Sequence, residues 1–237
     1  MKVEIWSDIV CPWCYIGKRR FEAALAQFDH RDQVEIVWRS FELDPTTPRE
    51  EEGFTTDRLA RKYGISRQKA EAMQANVTAL AAQVGLEYRL DEAHIANTVD
   101  GHRLIHLAAK HDLQDVMKER LLKAYFTDSL SLGNIDILVQ LAAEVGLDAA
   151  EVRSALDGDD FLDAVRADQR RAQRFGITGV PFFLFNEKFA VSGAQPTELF
   201  LTALERTWDD AHPVVTFAGA DQSAEANGLC TDDSCAV

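Results

Sequence analysis

A chain of 237 residues, 46% of them hydrophobic, can bury one large core or a core with a sizeable insertion. Its formal charge of −14 speaks against nucleic-acid binding, because the densest basic cluster, Arg170, Arg171 and Arg174, is flanked by Asp163 and Asp168 and offers no phosphate-neutralising face. No apolar run approaches the roughly 18 residues of a membrane-spanning helix, and the segment 1–8 lacks the apolar stretch of a secretion signal, so no membrane partner and a cytoplasmic location are expected.

Val3 and Ile5 alternate with charged residues as a strand would, up to the pair Cys11 and Cys14. A helix follows: Cys14, Phe21, Ala24, Leu25 and Phe28 recur at helical spacing, and Pro12 suits a first helical position. The segment 34–41 is dense in β-branched and aromatic residues and reads as a buried strand. With one helix between them, the two strands are expected to be parallel.

From about Gly53 to Gly176 the pattern is helical almost throughout. Ala70, Met73, Val77, Leu80, Ala81 and Val84 form one apolar stripe, and Ile137, Leu138, Leu141, Ala142 and Val145 form another; Gly85, Gly133, Gly146 and Gly158 read as helix stops. Strand character returns at 182–185 and 188–191, with Asn186-Glu187 as the hairpin turn, before a last helix from about Pro196 to Trp208. The fold class is therefore α/β, a mixed sheet flanked by helices and interrupted by a large all-helical insertion. The expected boundaries are residues 1–50 and 171–210 for the sheet-bearing domain and 51–170 for the insertion. Residues 211–237, rich in Gly, Ala, Ser and Asp towards the end, are expected to be a flexible tail.

The four cysteines fall into two close pairs, Cys11 with Cys14 and Cys230 with Cys235. In a reducing compartment such pairs indicate catalysis, redox sensing or metal. Where a strand runs into a helix, Cys11 falls near the N-cap, and the amides of Trp13 and Cys14 are expected to lower its thiol pKa. Cys11 should then attack, and Cys14, one turn deeper, should resolve the mixed disulfide. Zinc held by all four cysteines is the alternative, and the strand–CxxC–helix context weighs against it. His102 and His106, four apart on a helix, lack the glutamate of the metalloprotease pattern. No metal and no cofactor are expected.

Gly179-Val180-Pro181-Phe182 puts a proline at the entry to a strand. Three stretches, Asp8-Ile9-Val10-Cys11-Pro12-Trp13-Cys14-Tyr15-Ile16-Gly17, Trp38-Arg39-Ser40-Phe41-Glu42-Leu43-Asp44-Pro45 and Gly176-Ile177-Thr178-Gly179-Val180-Pro181-Phe182-Phe183, resemble the FrnE branch of the DsbA-like oxidoreductases, as do Asn97-Thr98 and His102-Arg103-Leu104. The resemblance spans nearly the whole chain, with its motifs in order. It implies a thioredoxin-like core with an inserted helical domain and Cys11–Cys14 as the redox pair, shaped by Pro12 and Trp13. It further implies a cis Pro181 opposite that pair, with the Val180 backbone free to meet an extended substrate. Asn97 and His102 are expected to be structural, an N-cap and a helix-surface histidine.

The resemblance also implies that Cys230 and Cys235, a pair with four intervening residues, exchange electrons with the first. About 22 residues of chain beyond Trp208 can extend to roughly 70 Å, which permits the contact. Asp232 and Asp233 make that pair the poorer nucleophile, so a shuttle or protective role is expected of it. The leading function is disulfide oxidase or isomerase chemistry on protein thiols, with glutathione or a thioredoxin system as further partners. The alternatives are glutathione- or small-molecule-directed thiol chemistry, as in relatives lacking the cysteine pair, and a non-enzymatic redox-sensing holdase or zinc module.

Overall fold

Strand β1 (Lys2–Ser7) lies inside a four-stranded sheet of order β2-β1-β3-β4, in a computed structural model that describes residues 1–49 and 53–213. Helix α1 (Pro12–Leu25) returns the chain to β2 (Glu35–Ser40), which pairs parallel to β1 with Lys2 opposite Glu35 and Ser7 opposite Ser40. The parallel pair expected of the opening unit is present. On its other edge β1 meets β3 (Phe182–Phe185) in antiparallel register, Val3 opposite Phe185, and β3 pairs antiparallel with β4 (Phe189–Ser192). The sheet is therefore mixed. In the hairpin, Lys188 N–H donates to the Phe185 carbonyl at 2.9 Å, and Asn186 and Glu187 both take left-handed φ, as a type I′ turn requires.

Alternation along β1 decides what each face touches. Val3 and Ile5 join the main apolar core, where Phe21 of α1 packs on Phe183 at 5.4 Å between centroids and on Phe200 at 5.8 Å. Phe200 comes from the last helix, α9 (Thr197–Ala211). Trp6 points the other way, into a small cluster with Ala172, Ile177 and Leu184. Glu4 shares that second face, buried, and is satisfied by Arg39 Nε at 2.8 Å and Arg171 Nη2 at 2.7 Å. An unpaired carboxylate there would be strongly destabilising.

Between β2 and β3 the described residues form seven helices: α2 (Thr55–Tyr63), α3 (Arg67–Ala82), α4 (Val99–Ala109), α5 (Gln114–Phe126), α6 (Ile135–Glu144), α7 (Ala149–Asp157) and α8 (Leu162–Arg174). Their buried apolar side chains, Leu104, Leu121 and Leu138 among them, are continuous with those of the sheet and α1. Asp168 fastens α8 to the sheet, accepting from Ser40 N–H at 2.9 Å, while its carbonyl accepts from Trp6 Nε1 at 3.1 Å.

One sequence expectation changes here, at Gly133, and the apolar stripe from Ala70 to Val84 proves to be shared: Val77, Leu80 and Val84 pack against the core that contains Ala81, while Met73 is 41% exposed. Helical periodicity identifies side chains that share a face, not what the face meets. Gly133 does not stop a helix but precedes α6, whose N-cap is Asn134, with Oδ1 accepting from Asp136 N–H at 2.8 Å.

Candidate active site

The turn that ends β1 delivers Cys11 to the N-cap of α1, with extended backbone angles (φ −91°, ψ 112°) and Pro12 in the first helical position. Tyr88 fixes the motif from the side of the inserted helices, its O–H donating to the Pro12 carbonyl at 2.7 Å. Trp13 turns outward and is 40% exposed, while Cys14 faces inward at 1%. Both thiols are free.

Opposite Cys11 lies the Val180–Pro181 peptide bond, which is cis. The Cys11 thiol donates to the Val180 carbonyl at 3.6 Å. Gly17 allows this closeness, because a β-carbon there would stand 2.9 Å from Pro181 Cγ. Cys11, Pro12, Trp13, Cys14, Val180 and Pro181 thus form one cluster from two segments far apart in sequence. Cys230 and Cys235 lie outside the described residues.

Cys11 is only 4% exposed, and it lines a groove of about 440 Å³ that Val180 and Trp13 also border. The opposite wall comes from α2 and α3, with Leu59, Tyr63, Met73 and Val77. Tyr63 at 58% and Leu43 at 45% exposure are large apolar or aromatic groups left open to solvent beside the thiol. Met73 and Val77 of the α3 stripe therefore line a recess, while Leu80, Ala81 and Val84 pack with the core.

Beneath the pair lies a buried polar floor. Asp8, just after β1, accepts from Ile9 N–H at 2.7 Å and Leu43 N–H at 2.8 Å, and its Oδ1 lies 3.2 Å from Nε2 of His102 on α4. Burial opposes the charge on Asp8, yet His102 and the Leu43 amide hold its carboxyl below the usual value. His102 is 1% exposed, which corrects its expected place on a helix surface. A β-carbon on its neighbour Gly101 would run into the Ile9 side chain, so glycine lets α4 approach this closely. The N-cap of α4 is Thr98 and not Asn97 as expected; Asn97 stands one residue earlier, its Oδ1 accepting from Val99 N–H at 3.0 Å. Lys118 of α5 is also 1% exposed, with Nζ donating to the Ser7 carbonyl at 3.3 Å and lying 5.5 Å from the Trp38 ring centre.

This floor corrects the expected thiol electrostatics. The hydrogen bond to Cys14 and burial push the Cys11 thiol well up, with the charges of Cys14 and Asp8 adding to the effect; the Cys14 amide opposes it but does not prevail. Burial also disfavours an anion on Cys14, yet the Cys11 thiol, the Lys118 ammonium, the Ser7 hydroxyl and the Asp8 N–H together bring that thiol down. Of the two sulfurs, Cys14 is therefore the one that its surroundings favour as the anion. The helix-terminus argument identifies a real donor, but a neighbouring sulfur has more of them. The two thiols titrate as a pair, so a change at one sulfur is felt at the other.

Sequence reasoning did not single out Ser7, Asp8 or Lys118 for the site, and it gave His102 no part in it. Asp8 alone carried a local signal, three residues before Cys11 within the quoted motif. Among the described residues, no group of three or more His, Cys, Asp or Glu side chains could hold a metal ion, and no helix is long and apolar enough to cross a membrane.

Comparison with known proteins agrees with this geometry. The chain matches a probable DsbA oxidoreductase of Streptomyces coelicolor at 44% identity and a TM-score of 0.86, over 100% of this chain and 99% of that one. A curated Bacillus subtilis protein of uncharacterised function, YwbO, is 29% identical over 204 residues, covering 85% of this chain and 94% of its own length. At the level of fold, the chain also resembles the cytosolic disulfide reductase DsbM of Pseudomonas aeruginosa, with 17% identity, 88% and 98% coverage and a TM-score of 0.62. Residues 2–205 match the family described as DSBA-like thioredoxin domain, and the chain belongs to that family of thioredoxin-fold oxidoreductases.

Proposed function

We propose that the protein exchanges disulfides with protein thiols, with Cys11 as the attacking sulfur and Cys14 as the resolving thiol. The observation that carries this reading is the Cys11 sulfur held between the helix N-cap and the Val180 carbonyl, at the mouth of an apolar groove. A folded, polar surface has little to gain from such a groove. An extended segment of incompletely folded chain can bury its apolar side chains there and pair with the Val180 backbone. In this reading residues 1–50 and 171–210 carry the chemistry, and residues 51–170 supply the groove wall and the polar floor.

The ordered motifs support assignment to the FrnE branch within the family, and a cytoplasmic setting fits the free thiols of Cys11 and Cys14. Glutathione is a plausible electron partner in the same scheme: a DsbM structure with GSH is among the fold relatives. The test is insulin reduction and scrambled-ribonuclease refolding with the protein and its Cys11→Ser variant. Turnover should fall on the order of 10³-fold or more without the nucleophile. Full activity in the variant would rule out the mechanism.

A further inference from the structure

The mechanism above leaves Lys118 unused, although a buried lysine with no carboxylate partner requires an explanation. Lys118 sits on α5, in the inserted helices, 104 positions beyond Cys14 in the chain. The ion pairs among the described residues include Lys18 with Glu22, Asp115 and Glu119, but none for Lys118. Its one hydrogen bond, to the Ser7 carbonyl, uses one of three donors. Next to it, Ser7 Oγ is the one buried side-chain oxygen or nitrogen among the described residues without a hydrogen-bond partner. An ammonium and a hydroxyl therefore lie together, held at Ser7, and both favour an anion on Cys14. Buried donors left open in this way are costly unless an anion fills the space between them.

We propose that Lys118 and the Ser7 hydroxyl form the anion site for Cys14, and that Lys118 acts through it as a positioning residue that sets the reduction potential and the pH dependence of disulfide closure. The inference rests on the exchange reading and deepens it. In the closing step Cys14 releases its proton to solvent, and its thiolate forms the bond to the Cys11 sulfur. The bond from Cys11 to the substrate sulfur breaks, and the electron pair leaves with that sulfur, which takes up a proton. The substrate is reduced and the enzyme pair oxidised. In the reverse direction Cys14 is the leaving group, and the same donors receive its charge.

The groups facing Lys118 agree with this assignment. Cys14 and Lys18 come from α1, Cys11 from its N-cap, Asp8 from the turn after β1, and the Trp38 ring from β2. Asp8 is itself engaged by two amides and His102, and of the charges around the ammonium that of Cys14 acts on it most strongly. Burial brings the Lys118 ammonium down to about 8, the charges on Cys14, Asp8 and Cys11 pulling the other way. Near neutral pH the cation therefore persists chiefly while its anionic partners are present.

The test compares the protein with Lys118→Met, reading thiolate absorbance at 240 nm against pH and the equilibrium with glutathione. The variant should shift the thiolate midpoint up by about one pH unit and make the disulfide about tenfold more favoured over the dithiol, equivalent to about 30 mV towards reducing potential. Ser7→Ala should move both readings the same way by less. In a Cys14→Ser background, Lys118→Met should move the remaining Cys11 titration by less than it moves the midpoint of the intact pair. Unchanged midpoint and potential in a folded Lys118→Met protein that still reduces insulin would overturn this inference alone, whereas an unsubstituted protein without insulin turnover would defeat the exchange reading. If the variant does not fold, the lysine ε-methylene resonances of the unsubstituted protein decide. One should titrate at lower pH after oxidation, and superimposable curves would overturn the proposal.

Discussion

The two sides of the redox pair are built on opposite rules, although both come from the helical run between β2 and β3. On the groove side, α2 and α3 leave apolar groups uncovered: Tyr63 is 58% exposed and Met73 41%. On the floor side, α4 and α5 bury what is normally solvated, with His102 and Lys118 each 1% exposed. Each side departs from the usual partition of apolar inside and charged outside, in the direction its task demands. An uncovered apolar wall can recognise unfolded chain, and a buried charged floor can hold an anion that water would otherwise stabilise.

The largest effect that separates the two sides is expected from charging the groove. Leu59→Asp combined with Met73→Asp should lower kcat/KM for reduced, unfolded protein about tenfold or more, equal to about 1.4 kcal/mol of lost binding. Exchange with a small disulfide, which needs no wall, should keep its rate, and so should the thiolate titration. Equal losses with both substrates would show that the groove wall and the redox floor are not separable.

A smaller effect should distinguish the floor by acid. Glu119 joins α5 to α1: Tyr15 O–H donates to its Oε1 at 2.6 Å, and Lys18 Nζ lies 3.0 Å from its Oε2. Burial opposes its charge, but Arg19, Lys18 and Tyr15 bring its carboxyl down to about 2. Because the folded value lies below the ordinary 4.5, the stabilisation is present above about 4.5 and is lost as pH falls towards about 2. Glu119→Gln should flatten that part of the stability–pH curve, measured by urea unfolding, and Glu71→Gln on the exposed face of α3 should not. At 30% side-chain exposure, the Glu119 contribution is modest.

The same contrast explains what the sequence made legible. The β1–CxxC–α1 unit, the parallel β2 and the Asn186-Glu187 turn each rest on local signals such as period two and a proline at the first helical turn, whereas the approach of Pro181 to Cys11 was implied only by the family resemblance. The α3 stripe was visible as a face, but its partner was not, since an apolar stripe over a groove and one over a core have the same spacing. Lys118 stands in the run Met117-Lys118-Glu119-Arg120, where nothing separates a buried lysine from its solvated neighbours. The helix-terminus argument for Cys11 failed for the same reason. It counted the amides close in sequence and could not count the burial and the neighbouring Cys14 thiol that push Cys11 up.

The most direct measurement is to trap the exchange intermediate. Cys14→Ala removes the resolving sulfur, so incubation with an oxidised, unfolded protein substrate should accumulate a mixed disulfide, and peptide mapping by mass spectrometry should find the substrate joined to Cys11. No adduct, or adducts found at Cys230 or Cys235 with Cys11 still free, would contradict the assignment of Cys11 as the sulfur that meets the substrate.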